Sequence, residues 1–287
     1  MPHSVVFLGT SAFAVPSLKA LAADKNFEVQ LVITQPDRPV GRKQIMTAPA
    51  VKIAALELGL KVEQPEKLND EISKFKAQSS PDFLIVVSYG QILSEDVLQW
   101  PTIASVNVHA SLLPVLRGAS PIQHAILLGM NQTGVTIQRM ARELDAGPIL
   151  SQDTIDIDSR ETFQTLHDAL ATLGTKLLTK TLLSPLQEHV QDHAKATFCK
   201  KLKTEDGVID PQTMTAIQID RMVRALGTEP GVRWKEAKIL EASLVETSDS
   251  FPLPCSGHST LYITKIQPAG GKSMSGKAYK LGHSLAS

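Results

Sequence analysis

Asn107 and His109 stand two residues apart at the end of an apolar run, Ser105-Val106-Asn107-Val108-His109. If the run is a strand, its alternation puts both side chains on one face. Together they have the makings of acyl chemistry. An amide N–H polarises a carbonyl and stabilises the oxyanion formed on it, while an imidazole moves a proton near neutral pH. Asp145, in the turn Leu144-Asp145-Ala146-Gly147-Pro148, would add a carboxylate able to orient such a ring and share its proton. Taken alone, each group has an ordinary explanation. A strand-end Asn and His satisfy local backbone groups, and an Asp two residues before Gly is common turn chemistry.

The elements that must position these groups follow from periodicity. Short continuous apolar runs at 5–8, 29–33, 83–87 and 103–108 alternate with segments of helical period near 15–22, 51–58 and 122–128. Ser94 before Glu95 and Asp96 is an expected helix cap, as is Ser120 before Pro121. Continuous apolar strands alternating with helices predict a doubly wound, mostly parallel α/β sheet, whose ligands sit outside the carboxyl ends of the strands. Gly9-Thr10-Ser11 follows the first run with one glycine, short of a dinucleotide fingerprint, and no P-loop lysine follows. Strands are expected at 135–140 and 149–157, then helices at 161–183 and 215–226. Beyond these, short β-rich runs at 232–234, 239–245 and 261–266 predict a smaller β-rich, OB-like domain. The expected organisation is a catalytic domain over 1–187, a polar linker over 188–208 and a shortened OB-like domain over 209–287.

Composition narrows the function classes. With 43% hydrophobic residues and 29 basic against 29 acidic residues, disorder is excluded. No run reaches the ~18–20 apolar residues of a membrane-spanning helix. The run at 5–8 lacks the basic flank of a signal peptide, and Cys199 and Cys255 make no disulfide framework or four-ligand zinc site, so a cytoplasmic location is expected. The zero net charge means that any nucleic-acid partner would have to be met by local basic patches.

Larger motifs join the three groups. Asn107-Val-His109-Ala-Ser-Leu-Leu-Pro114, Arg117-Gly-Ala-Ser-Pro121-Ile-Gln123, Thr133-Gly-Val-Thr-Ile137 and Leu144-Asp145-Ala-Gly147 together resemble the folate-dependent formyltransferase family. Thr34-Gln-Pro-Asp-Arg-Pro39 with Gly41-Arg42, Val86-Val-Ser-Tyr-Gly90 and Ile266-Gln-Pro-Ala-Gly-Gly-Lys272 resemble its members that act on an aminoacylated tRNA. The resemblance runs from residue 5 to about 276. It implies transfer of a formyl group from 10-formyltetrahydrofolate to the α-amino group of methionine on initiator tRNA, with no metal. Asn107 and His109 would stabilise the oxyanion, and Asp145 would orient His109 and take the amine's proton. Ser111, Leu112, Leu113 and Pro114 with Tyr89, Gly90, Gln91, Ile92 and Leu93 would line the folate pocket, backbone groups supplying hydrogen bonds.

The same resemblance gives the stretch 34–48, otherwise a solvated surface loop, to the acceptor end of tRNA, with Arg38, Arg42 and Lys43 as contacts. Its Gly41-Arg42-Lys43-Gln44 is about one residue shorter than the family's usual form. From Ser250 onward there are four lysines and no acid, a stretch able to follow a phosphate backbone or simply a solvated face. A monomer with no membrane partner is expected. Two rival readings remain open: a folate-dependent N-formyltransferase acting on a small amine such as an amino sugar nucleotide, and a binding protein without catalysis. A small-amine enzyme has no need of the basic loop and the lysine-bearing domain, and a mere binder has no use for the proton-transfer groups.

Overall fold

Val5, Val6, Phe7 and Leu8 are wholly buried because their strand, β1 (His3–Gly9), lies inside a sheet with neighbours on both sides. The computed structural model describes residues 1–41 and 44–282. From β1 the chain runs through α1 (Val15–Ala23), β2 (Phe27–Ile33), the short strands β3 (Arg38–Val40) and β4 (Ile45–Thr47), α2 (Ala50–Glu57), β5 (Val62–Glu63) and α3 (Leu68–Lys76). It continues with β6 (Phe83–Val87), α4 (Glu95–Leu98), β7 (Ala104–His109), β8 (Arg117–Gly118), α5 (Pro121–Leu127), β9 (Gln132–Arg139), β10 (Ile149–Asp156) and α6 (Phe163–Leu182). After β11 (Phe198–Cys199) come α7 (Ala216–Leu226), β12 (Val232–Trp234), β13 (Ala237–Ser243), β14 (Phe251–Cys255), β15 (Ser259–Pro268), β16 (Met274–Ser275) and α8 (Gly276–Gly282).

The main sheet has the order β10-β9-β7-β6-β1-β2-β5. The pairs β1–β2, β1–β6, β2–β5 and β6–β7 are parallel, and β9 joins β7 antiparallel. This is the expected doubly wound, mostly parallel architecture. The chain order reverses between β1 and β6, the place where such sheets open a ligand crevice. There the loops after the two strands are tied together: Thr10 Oγ1 donates to the Tyr89 carbonyl at 2.7 Å, and Ser11 Oγ to Ser88 Oγ at 2.8 Å. Ser94 caps α4 through the Val97 N–H, whereas Ser120 makes no side-chain bond to α5.

Two compact units divide the chain. The first takes Met1–Gly118, Thr133–Ile155 and His167–Phe198, and holds the main sheet. The second takes Ala119–Gln132, Asp156–Leu166 and the chain from Cys199 on. Its core is formed by α7 against β12 to β16. Ile219, Met222, Val223 and Leu226 recur at helical spacing along α7 and are buried with Val232, Ile239 and Leu261. Thr215 starts α7 with a reciprocal cap, its side chain accepting from the Gln218 N–H, and Gly227 ends the helix at φ 49°.

Two readings of the sequence are corrected. The stretch 34–48 is not wholly a loop: β3 and β4 pair antiparallel as a hairpin, Arg38 opposite Thr47 and Val40 opposite Ile45. Arg42 and Lys43 lie outside the described residues. The shortened second domain also holds a strand outside the three β-rich runs expected there, since Phe251–Cys255 is β14. Its prolines at 252 and 254 argue against a strand on propensity. They are tolerated because β14 is an edge strand bonded to β15 alone, with Phe251 and Leu253 turned into the core and both prolines exposed. The second sheet thus has five strands, ordered β12-β13-β15-β14 with β16 also on β15. No described helix is long and apolar enough to cross a membrane.

Phe251 lies between Trp234 and Tyr279, ring centroids 6.0 and 6.1 Å away, and is 2% exposed. Phe251→Ala is expected to cost about 3–5 kcal/mol, the range for a buried aromatic truncated to a methyl. Urea unfolding followed by tryptophan fluorescence measures this, and a loss below about 0.5 kcal/mol, the range of most surface changes, would return this segment to the surface.

Candidate active site

His109 closes β7, the strand beside β6 in the parallel run, so its ring reaches the carboxyl edge of the sheet. In the β7–β9 ladder His109 faces Thr136 and Asn107 faces Gln138, so these four side chains share one face. The His109 ring is nearly enclosed, and its Nε2 lies 2.9 Å from the Leu116 carbonyl. A carbonyl only accepts, so this contact places a proton on Nε2, and in the neutral ring Nδ1 then carries the lone pair. Nδ1 in turn faces Asp145 Oδ2 at 3.6 Å, longer than a hydrogen bond. In the neutral ring an acceptor nitrogen and a carboxylate oxygen thus face each other, a place able to receive a proton.

Asp145 sits between β9 and β10 at φ 50°, in the left-handed region that Asp tolerates better than most residues. Each of its oxygens has a donor: Gly118 N–H reaches Oδ2 at 2.9 Å, and Gln138 Nε2 reaches Oδ1 at 3.0 Å. Gly147 is required two residues on, because a Cβ there would stand 1.9 Å from the Arg139 carbonyl oxygen. The Asn107 side chain is half-buried and makes no hydrogen bond among the described residues, so its amide N–H is available to an incoming oxygen. The three groups anticipated from the sequence thus meet on one edge. What fixes the ring is, however, the Leu116 carbonyl, which the sequence reading did not anticipate. Leu116 holds φ 59°, a strained conformation for a branched residue, and its N–H is bound by Thr197 Oγ1 at 2.8 Å.

The residues expected around folate divide. Thr136 Oγ1 donates to the Ser111 carbonyl and accepts the Leu113 N–H, while Gln152 Nε2 donates to the Leu113 carbonyl. The backbone groups of Leu113 are therefore spent inside the fold, and Ser111 Oγ donates to Val115 O. Leu112 and Pro114 are half-buried at the edge. Tyr89 and Leu93 belong to the core with Val86 and Trp100. Gln91 accepts the Leu68 N–H at the start of α3 and donates to the Glu66 carbonyl. Gly90 and Ile92 remain open: a Cβ on Gly90 would meet nothing within 4 Å, and Ile92 is 85% exposed. Arg38, expected to meet tRNA, pairs with Glu66 at 2.5 Å across an exposed surface, where such a pair is worth roughly 0–1 kcal/mol and is readily exchanged. At the base of the hairpin both Asp37 oxygens accept from Lys52 Nζ, and these bonds, with one from Gln64, hold the Asp37 carboxyl below its usual range.

The Tyr89 hydroxyl is buried without a hydrogen-bond partner among the described residues. Burial, and secondly the charge of Glu71, push its phenol well above the ordinary value. Tyr89→Phe is expected to raise stability by roughly 1 kcal/mol, because an unsatisfied buried hydroxyl is removed, and to leave turnover unchanged. Thermal unfolding and steady-state rates check this, and a fall in turnover at unaltered stability would assign the hydroxyl to the ligand.

Comparison with known proteins matches residues 3–182 to the formyl transferase family model and residues 201–284 to the formyl transferase C-terminal domain. A methionyl-tRNA formyltransferase of Roseiflexus sp. (strain RS-1) is 40% identical over the whole of this chain and 94% of its own length. That of Bacillus subtilis (strain 168) is 37% identical over 97% of this chain and 94% of its own. Among solved structures, an N-formyltransferase from Helicobacter canadensis, in complex with folinic acid and dTDP-3-aminofucose, superposes with a TM-score of 0.66 at 17% identity. That match covers 92% of this chain and 99% of the other, and shows a shared fold.

Proposed function

The chain belongs to the formyl transferase family, and from that premise we propose that it transfers the formyl group of 10-formyltetrahydrofolate to the α-amino group of methionine carried by initiator tRNA. The acceptor is argued from curated relatives similar over nearly their whole length, both methionyl-tRNA formyltransferases. One observation carries the chemistry: His109 Nδ1, its tautomer set through Nε2, faces the Asp145 carboxylate with Asn107 on the same strand face. The open edge at Gly90, with exposed Ile92 beside it, leaves room for one face of a flat ring such as a pterin.

In this reading the amine nitrogen bonds to the formyl carbon as the carbonyl π bond shifts onto oxygen. The Asn107 amide donates to that oxygen and stabilises the developing negative charge. The His109–Asp145 pair receives the proton that the attacking nitrogen loses, since between Nδ1 and Oδ2 it meets two acceptors. The imidazolium so formed adds its charge to the stabilisation of the oxyanion. As the bond from carbon to the folate nitrogen breaks, His109 delivers a proton to the departing nitrogen, so the groups end as they began. A cytoplasmic location accords with this substrate.

Incubation with 10-formyltetrahydrofolate and charged initiator tRNA is expected to yield formyl-methionine, and absence of that product overturns the proposal. Asp145→Ala should lower turnover by roughly 10²–10⁴-fold, the usual worth of a positioned acid–base group, while folate still binds. A variant with near-normal turnover removes Asp145 from the mechanism. Affinity for tRNA should fall steeply as salt rises, because phosphate contacts release counterions. A flat salt response would favour a small-amine acceptor instead.

A further inference from the structure

The geometry points to Gln138 and Gln191 as positioning residues that set the Asp145 carboxylate for proton transfer, an inference that rests on the formyl-transfer reading of the site. Gln191 falls in the stretch 188–208, which reads as a polar linker, yet it is 3% exposed. Its Nε2 lies 2.9 Å from the Asp145 carbonyl and 2.6 Å from the Gly147 carbonyl, clasping the loop at the acid and two residues beyond it. Its Oε1 accepts two N–H groups of Arg117, from Nε at 3.0 Å and Nη2 at 2.6 Å. Arg117 is itself 4% exposed, and no carboxylate pairs with it among the described residues, its third contact being His193 Nδ1 at 3.4 Å. A buried guanidinium on the amide oxygen polarises the amide and strengthens donation from its nitrogen.

Gln138 acts on the carboxylate itself. It is 2% exposed, faces Asn107 across the ladder, and donates Nε2 to Asp145 Oδ1. With Oδ1 held by Gln138 and Oδ2 by the Gly118 N–H, the carboxylate plane cannot turn freely. Oδ2 is thereby the oxygen that meets His109 Nδ1. Gln191 Nε2 also approaches Gln138 Oε1 at 3.4 Å, so both amides belong to one chain of donors running from Arg117 to the acid. A loop that merely had to be closed needs only the backbone clasp. A side-chain amide aimed at the carboxylate oxygen from the strand opposite Asn107 adds orientation of the reacting group.

Two variants separate orientation from folding. Gln138→Met keeps nearly the same volume without the donor. Gln191→Glu keeps an acceptor for Arg117 but loses both N–H groups that hold the Asp145 loop. For each, kcat and KM for both substrates are measured with charged initiator tRNA and 10-formyltetrahydrofolate, alongside the thermal midpoint. The expected result is a kcat lower by roughly 10- to 100-fold, the cost of misplacing a reacting group by about 1 Å, with KM within about twofold and the thermal midpoint nearly unchanged for Gln138→Met. A Gln138→Met protein with wild-type kcat overturns the positioning role while the formyl-transfer reading stands. So does a kcat that falls only together with a lowered midpoint and raised KM in both variants, since that is what loss of packing gives. Wild-type protein that makes no formyl-methionine overturns both.

Discussion

The contact between the Leu116 carbonyl and His109 Nε2 is the constraint on which the site depends. Without it the neutral imidazole could carry its proton on either nitrogen, and the Asp145 carboxylate would favour the form that presents a hydrogen to it before any substrate arrived. With it, Nδ1 is an acceptor. The chain goes to some length to aim that carbonyl: Leu116 is held at φ 59°, Ser111 Oγ donates to the neighbouring Val115 carbonyl, and Thr197 binds both Leu116 N–H through Oγ1 and Arg117 N–H through its carbonyl. A left-handed leucine costs on the order of 1–2 kcal/mol, so bonds from both sides are needed to keep it there. The loop between His109 and Arg117 therefore orients the ring.

The parts of the molecule most legible in the sequence are those set by periodicity. Phe83–Val87 is a strand because five consecutive apolar residues flanked by polar ones fit only an element buried on both faces, and α7 begins and ends where Thr215 and Gly227 say it should. That Asn107, His109 and Asp145 would come together was legible because their residue types are those of acyl chemistry and their segments follow or end predicted strands. What escaped is what depends on contacts distant in sequence. Gln191 lies 46 residues beyond Asp145 in a polar stretch with no periodicity, and nothing local marks it as buried. Leu116 escaped because its part is played by a backbone carbonyl, which any residue possesses. Gln138 left a faint trace, since alternation along β9 puts it on the face of Thr136. A lone glutamine there still gives no reason to expect a bond to a carboxylate. β14 was hidden for the opposite reason: its prolines speak against a strand, and only the knowledge that it lies at an edge removes the objection.

Charge illustrates how a sum conceals a distribution. The 29 basic and 29 acidic residues cancel, but they are not spread evenly. Of the cations expected to meet a phosphate backbone, Arg38 pairs with Glu66 and Lys265 with Glu241, both across exposed surface. Lys272, Lys277 and Lys280 have no ion pair among the described residues and are exposed. Exposed pairs are weak enough for a phosphate to displace their carboxylates, so Arg38 and Lys265 stay available at little cost. An anionic partner of the first unit would displace Glu66 from Arg38, and one of the second unit would meet Lys272, Lys277 and Lys280 and displace Glu241 from Lys265. Association of such a partner with these groups would weaken as ionic strength rises, even though the whole chain is neutral. The buried cation of the first unit works differently. Arg117 is shut away from solvent and any partner, so its charge acts only inward, through the Gln191 amide, on the loop that carries the acid.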